Sequence, residues 1–257
     1  MTDCSVCGFQ TEFLTAKKDR FGQEYFYMRC PYCSFLFDRD LVLDTAKLET
    51  KVGKVYNQIY FESIDSGWKM RGDAFLKLMH AILRVYRFLT FKKNISLLDY
   101  GGGNGYITSK VNSKYDTFYY DKYEKPSFLG NYKVLEKPQK TDVVCAVELI
   151  EHLTDIEEWD FLKSLQPDVF MFTTCLSDMV LQKDLVHWIY LNPDAGHTAL
   201  YSIDSLSLLA KKYGYIYVFF PNITCHIFIK NNFLSNVGFA KIEYFFYNIA
   251  RKIKNMQ

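Results

Sequence analysis

At 257 residues, 49% of them hydrophobic, with a net charge of +2, the chain is long enough to bury a substantial core in one or two domains and reads as a soluble globular protein. Its longest apolar runs, such as YIYVFF at 215–220, fall far short of the roughly 20 residues a bilayer-crossing helix needs. The opening MTDCSVCGFQ lacks the basic start and apolar centre of a signal peptide. The expected location is therefore a reducing cytoplasm, where seven cysteines are not a disulfide framework. Charge is unevenly spread: residues 1–50 and 96–229 are net acidic, 51–95 and 230–257 net basic. The basic stretch at 51–95 either faces an anionic substrate or is a solvated helix surface.

Taken in chain order, the first element is a pair of Cys-x-x-Cys knuckles, Cys4/Cys7 and Cys30/Cys33, 22 residues apart. Each knuckle brings two thiolates to one point, and two points close a tetrahedral shell around zinc. The intervening FLTAKKDRFGQEYFYMRC reads as two short strands around a turn, so residues 1–45 are expected to form a Cys4 zinc ribbon. A closed thiolate shell leaves no open position, which makes the metal structural. Residues 46–95 form a helical connector. In DAFLKLMHAILRVYRFL, the residues Phe75, Leu76, Met79, Ile82, Leu83, Tyr86 and Leu89 recur at three- and four-residue steps, an amphipathic helix that docks on the next domain.

From 96 to 230, short apolar runs alternate with helical stretches: SLLDY, TFYYD, DVVCAVE, DVFMFTT, YIYVFF and CHIFIK. This predicts an α/β fold with a doubly wound, mostly parallel Rossmann-like sheet, whose ligands bind at the carboxyl ends of the strands. Only PNIT separates the last two runs, so they are expected to form an antiparallel edge pair. Residues 231–257 read as a basic amphipathic helix that packs on its own domain or lies on an anionic membrane surface.

The chemistry is concentrated in LLDYGGGNGYI, where a strand ends in Asp99 and runs into Gly101, Gly103 and Gly105. The spacing fits neither a G-x-G-x-x-G dinucleotide loop nor a phosphate-gripping P-loop. It resembles the first motif of the class I S-adenosylmethionine-dependent methyltransferases. That resemblance implies a glycine loop against the cofactor's amino-acid moiety, with Asp121 at the end of the next strand holding both ribose hydroxyls. TDVVCAVELIEHL at 141–153 resembles a further family motif, which sets Glu148 beside the sulfonium. Glu151 either joins it or caps the next helix, and His152 stands in the site or behind it. Arg71 is a candidate for the cofactor's carboxylate or a plain surface charge; Tyr56 and Tyr60 match aromatic positions that close over the cofactor in that family.

The segment GHTALYSIDSLSLLAKKYGY resembles a stretch of small-molecule methyltransferases acting on sugars and related metabolites, some of which also carry an N-terminal zinc segment. The sugar C-methyltransferases of that group show a glutamate where this chain has Gly196, which favours a hydroxyl acceptor and leaves C-methylation as the alternative. An O-methyltransferase needs a base near the hydroxyl. His197 is the first candidate, His187 the reserve, Asp194 the group that orients either one, and Tyr190 and Tyr201 the pocket walls. The expected acceptor is a small, anionic, phosphorylated metabolite such as a sugar nucleotide or capsule precursor. Methylation of ribosomal or transfer RNA is the competing reading, disfavoured by the acidic ribbon.

Overall fold

The computed structural model describes residues 2–40, 67–153, 156–220 and 224–237, which form two sheets. The larger has seven strands: β4 (Ser96–Tyr100), β5 (Asp116–Tyr120), β6 (Lys133–Val134), β7 (Val143–Val147), β8 (Val169–Thr173), β10 (Tyr215–Phe220) and β11 (Cys225–Lys230). Their spatial order is β10-β11-β8-β7-β4-β5-β6. Pairings among β4 to β8 are parallel, whereas β11 runs antiparallel to both β8 and β10. Order reverses between β4 and β7. This switch point is where a doubly wound sheet opens a crevice for ligand.

Period-two alternation sorts the core side chains of this sheet. Leu97, Val143, Cys145, Val169 and Met171 face one layer, and Leu98, Val144, Ala146, Phe170 and Phe172 the other. The first layer is covered by α1 (Trp68–Thr90), whose buried face includes every one of the seven apolar residues picked out by helical spacing. The helix ends at Phe91 in a left-handed conformation, with its N–H bonded to the Arg87 carbonyl, a cap usually made by glycine. The second layer is built around buried Trp159, whose Nε1 donates to the Tyr201 hydroxyl at 2.9 Å.

The smaller sheet joins the N-terminal region to the rest of the chain. Strands β1 (Glu12–Lys18), β2 (Glu24–Arg29) and β3 (Leu36–Asp38) form an antiparallel meander. Its fourth strand is β9 (Ala199–Leu200), with Leu36 opposite Leu200 and Phe37 opposite Ala199. The ribbon is thus not a separate bead: its sheet is completed by the segment that carries His197. Further bonds fasten the same seam, from Asp38 N to the Thr198 carbonyl (2.9 Å) and from the Tyr27 hydroxyl to the His197 carbonyl (2.8 Å). Beyond β11 the described chain continues as α2 (Asn231–Val237); the rest of the expected C-terminal amphipathic helix lies outside the described residues, as do Tyr56 and Tyr60.

One polar lock ties α1 to the sheet. Asp142 accepts from Ser96 N (2.9 Å) and Ser96 Oγ (3.0 Å) and pairs with Lys92. Burial alone pushes this carboxyl up, but the bonds from Lys92 and Ser96 outweigh it and hold the pKa below the ordinary 3.8. A depressed folded pKa adds stability that is complete above the unfolded value and is lost as pH falls through the folded one. Asp142→Asn is therefore expected to cost about 1–2 kcal/mol at neutral pH, with the gap to wild type closing as pH falls through the depressed folded pKa, as read from thermal melts in acid.

Candidate active site

At the switch point, β4 runs into a loop whose shape is set by close approach. Gly101 has φ +72°, and a Cβ there would lie 2.7 Å from the Leu149 side chain. A Cβ on Gly102 would lie 2.7 Å from the Tyr119 ring. The Gly101 and Gly102 amides are tied to the Tyr120 carbonyl (2.8 and 3.2 Å), and the Tyr119 hydroxyl donates to the Gly103 carbonyl (2.6 Å). The loop is therefore held open as a bare main-chain floor. It borders a cavity of about 630 Å³, within the range that takes small molecules and cofactors.

Two acidic residues shape this floor, in different ways. Asp121 Oδ2 accepts from Gly103 N (2.9 Å), while Oδ1 accepts from Tyr123 N and Glu124 N (both 2.8 Å). Three of its roughly four acceptor positions are thus used to fix the loop, leaving room for one further hydrogen bond from a ligand rather than two. Asp99 is 1% exposed and accepts from the Thr108 hydroxyl; burial raises its pKa to about 6. It underpins the loop from below. Arg71 and Trp68 from the start of α1 line the same cavity as Gly103 and Asp121.

The cavity is also lined by Glu148, His152, Tyr190, Asn192 and His197. Glu148 ends β7 with φ +50°, an uncommon conformation for a residue with a side chain. Thr173 holds it there, its hydroxyl donating to Oε1 (2.8 Å) and accepting from Glu148 N (3.0 Å). Glu151, 0% exposed, accepts from the Tyr190 hydroxyl (2.7 Å), which also approaches Glu148 Oε2 at 3.3 Å. Burial, and then the neighbouring Glu148, push the Glu151 carboxyl well above the ordinary carboxylate range. His152 and His197 lie with ring centroids 5.3 Å apart. Burial chiefly, then His197, lowers His152 to about 3, so it is a neutral imidazole at physiological pH.

Not every residue picked out by sequence comes to this cavity. His187 is exposed and is not among the lining residues, because Gln182–His187 is a surface 3-10 turn. The Asp194 carboxylate accepts from Arg20 N in the β1–β2 turn at 2.7 Å, so it steadies the hairpin and orients neither histidine. Tyr201 is a core residue packed on Phe35 and Trp159. Conversely, Trp68, Cys175 and Asn192 line the cavity without any spacing signal in the sequence. Glu151, read as a site residue or a cap, is drawn into the buried cluster by the Tyr190 hydroxyl.

Away from the cavity, the Sγ atoms of Cys4, Cys7, Cys30 and Cys33 all lie within 4.8 Å of one another. The Cys4–Cys33 and Cys7–Cys30 separations are 3.6 and 3.4 Å. A tetrahedral zinc with ~2.3 Å bonds separates its sulfurs by about 3.8 Å, so the cluster has the size such an ion needs. The two knuckles repeat one design: Gly8 N bonds the Cys4 carbonyl and Ser34 N bonds the Cys30 carbonyl, with Gly8 and Ser34 both at positive φ.

The strand order, the antiparallel β10–β11 edge and the glycine loop at the switch point define a class I, Rossmann-like, S-adenosylmethionine-dependent methyltransferase. Residues 70–218 match the family described as a methyltransferase domain, more than half of the chain, and the protein belongs to that family. Similar solved structures include magnesium protoporphyrin IX methyltransferase from Synechocystis PCC 6803 with bound S-adenosylmethionine, 14% identical over 75% of this chain and 95% of that one, TM-score 0.45. The N-methyltransferase NodS from Bradyrhizobium japonicum WM9 is 12% identical over 72% of this chain and 97% of its own, TM-score 0.43. An O-methyltransferase family protein from Burkholderia thailandensis is 14% identical over 72% and 69%, TM-score 0.42. No curated protein matches the chain at a significant level. Among the described residues, no helix is long and apolar enough to cross a membrane.

Proposed function

We propose that the protein transfers the methyl group of S-adenosylmethionine to a hydroxyl of a small, anionic metabolite in the cytoplasm, a phosphorylated sugar or sugar nucleotide being the favoured class. The observation that carries this reading is that one cavity is lined both by the glycine loop, Asp121 and Arg71 and by Glu148, Tyr190, His152 and His197. With cofactor and acceptor sharing about 630 Å³, the space suits a compact acceptor better than a folded polymer. Asp121 would meet the ribose with its remaining acceptor position, and Arg71 the cofactor's carboxylate. The sulfonium supplies the reactive methyl.

What remains for the protein is to orient the acceptor and take up its proton. His197 is the residue to which that step is assigned, since it lines the cavity and an imidazole can take up a proton. Tyr190, bridging the two glutamates, holds the wall on which the acceptor rests. We further assign zinc to the four-cysteine cluster, in a structural role.

The test is a methyl-transfer assay with labelled S-adenosylmethionine against sugar nucleotides, free sugars, RNA and protein, followed by location of the methyl on the product. Ether formation on a phosphorylated sugar is the expected result; transfer to carbon, nitrogen or RNA overturns it. His197→Ala is expected to bind S-adenosylhomocysteine like wild type and to lose about 10²–10⁴-fold in turnover.

A further inference from the structure

We infer that Lys17, on the first strand of the ribbon, is a positioning residue for methyl transfer: from outside the cavity it holds the turn that carries Tyr190 and orients His197. Its Nζ donates to the Leu191 carbonyl at 2.7 Å and reaches the Trp188 carbonyl at 3.5 Å. These two carbonyls bracket Ile189 and Tyr190, which both line the cavity, whereas Lys17 is not among the lining residues.

One face of the ribbon sheet meets this turn. Lys17 lies opposite Tyr25, and Thr15 opposite Tyr27, and cross-strand partners share a face. Tyr25 and Tyr27 pack with Leu185 and Leu191, and Trp188 and Tyr190 lie against the same cluster. Apolar packing is non-directional, so it brings the turn close without deciding how its peptide planes point. Lys17 supplies the direction through a charge-assisted bond. Among the described residues it forms no ion pair, and burial lowers its pKa below the ordinary 10.5. The ammonium is held partly out of water on main-chain oxygens alone, and those bonds offset the cost of desolvating it.

A single peptide plane links Lys17 to the histidine. The Leu191 carbonyl accepts from Lys17, and the N–H of the same planar unit, that of Asn192, donates to the Tyr190 carbonyl at 2.9 Å. The Tyr190 carbonyl also accepts from His197 Nδ1 at 2.7 Å. Because a carbonyl can only accept, this bond keeps the His197 proton on Nδ1. The Tyr190 ring lies against the same imidazole, centroids 4.1 Å apart, and its hydroxyl donates to Glu151 at 2.7 Å. Without Lys17 the Leu191–Asn192 plane turns more freely, and the Tyr190 carbonyl that orients His197 turns with it. Two other ribbon contacts brace the neighbouring stretch, from Arg20 N to Asp194 and from the Tyr27 hydroxyl to the His197 carbonyl. The expected result is a displaced turn, not an undocked one.

In one respect this rests on the function proposed above: Tyr190 and His197 are taken as the groups that meet the acceptor. A displacement of about 1 Å in such a group costs on the order of 10²-fold in rate. The glycine loop is tied to Tyr119 and Tyr120 of β5, so the cofactor's own floor does not depend on Lys17. Lys17→Met keeps an unbranched apolar stem and removes the donors; Lys17→Arg restores N–H donors at the same place.

The test compares both variants with wild type in the full-length chain, by nitrogen NMR of the histidine rings and by methyl transfer to sugar nucleotides. The His197 signal is identified by its loss in His197→Ala. Wild type is expected to report the Nδ1-protonated tautomer at His197. Lys17→Met should show a mixture of tautomers and a turnover lowered by about 10-fold to 100-fold, and Lys17→Arg should recover both. S-adenosylhomocysteine affinity by calorimetry and the protease resistance of residues 1–40 should match wild type in both variants. An unchanged His197 signal in Lys17→Met, a change that Lys17→Arg does not recover, or a ribbon that becomes protease-sensitive overturns the proposal. If the His197 signal responds as expected in a chain that methylates no sugar nucleotide, the acceptor class proposed above falls and the positioning role stands.

Discussion

Replacing Cys30 with serine is expected to slow methyl transfer about 100-fold or more from a distance while leaving the cofactor in place. Cys30 is fully buried, and its loss opens the four-sulfur shell. A structural zinc contributes roughly 10–16 kcal/mol to the folding of small metal-held units, more than a three-stranded meander can replace from its own core. With β3 released, the β3–β9 pairing and the bond from Tyr27 to the His197 carbonyl go with it. A shift of about 1 Å in a reacting group costs on the order of 10²-fold in rate, so turnover should fall by about that factor or more. The glycine loop is tied to Tyr119 and Tyr120 of β5 in the larger sheet, and S-adenosylhomocysteine affinity should stay near wild type. Limited proteolysis confined to the first 40 residues would confirm where the structure is lost. Turnover equal to wild type would mean that the seam does not position His197.

Asp121→Ala is expected to have the largest effect on the cofactor. It deprives the amides of Gly103, Tyr123 and Glu124 of their acceptor at once, at about 1–3 kcal/mol for each group left unpaired. The loop can recover these bonds only by closing on itself or taking up water, and either change alters the floor on which the cofactor lies. Calorimetry should show at least a ~100-fold loss of S-adenosylhomocysteine affinity, about 2.8 kcal/mol. Asp121→Asn discriminates the cause. Its amide oxygen still accepts from two of the three donors, so an intermediate loss points to loop support, whereas a loss equal to that of alanine points to direct contact with the ligand.

The legible part of the molecule was the part written in local pattern. The short apolar runs of β4, β7 and β8, helical spacing from Phe75 to Leu89, and the short PNIT connection each express one element's own geometry, and the structure agrees with them. The four cysteines were readable because two close pairs constrain each other. The site was legible only where a motif is contiguous. Glu151 reads equally as a helix cap until Tyr190, 39 residues later, is seen to donate to it. Asp194 and His187 sit beside a promising histidine in sequence, but a surface turn and a bond to Arg20 take them elsewhere. A two-residue strand such as β9 carries no periodicity at all. Nothing in Ala199–Leu200 announces that it will complete the ribbon sheet, since that depends on the edge β3 offers.

The outermost strand of the larger sheet bears on how the protein behaves when it loosens. β10, YIYVFF, pairs on one side with β11; it holds six β-favouring residues without a charge or proline. Such a segment is a template for self-association when its flank is bared. Lys211 and Lys212 upstream and Pro221 downstream are the kind of residue that guards a strand of this composition. Heating or acid that frays this flank before the central strands separate would therefore lead to clumping through stacked aromatic strands, and recovery after denaturation would depend on how dilute the protein is kept.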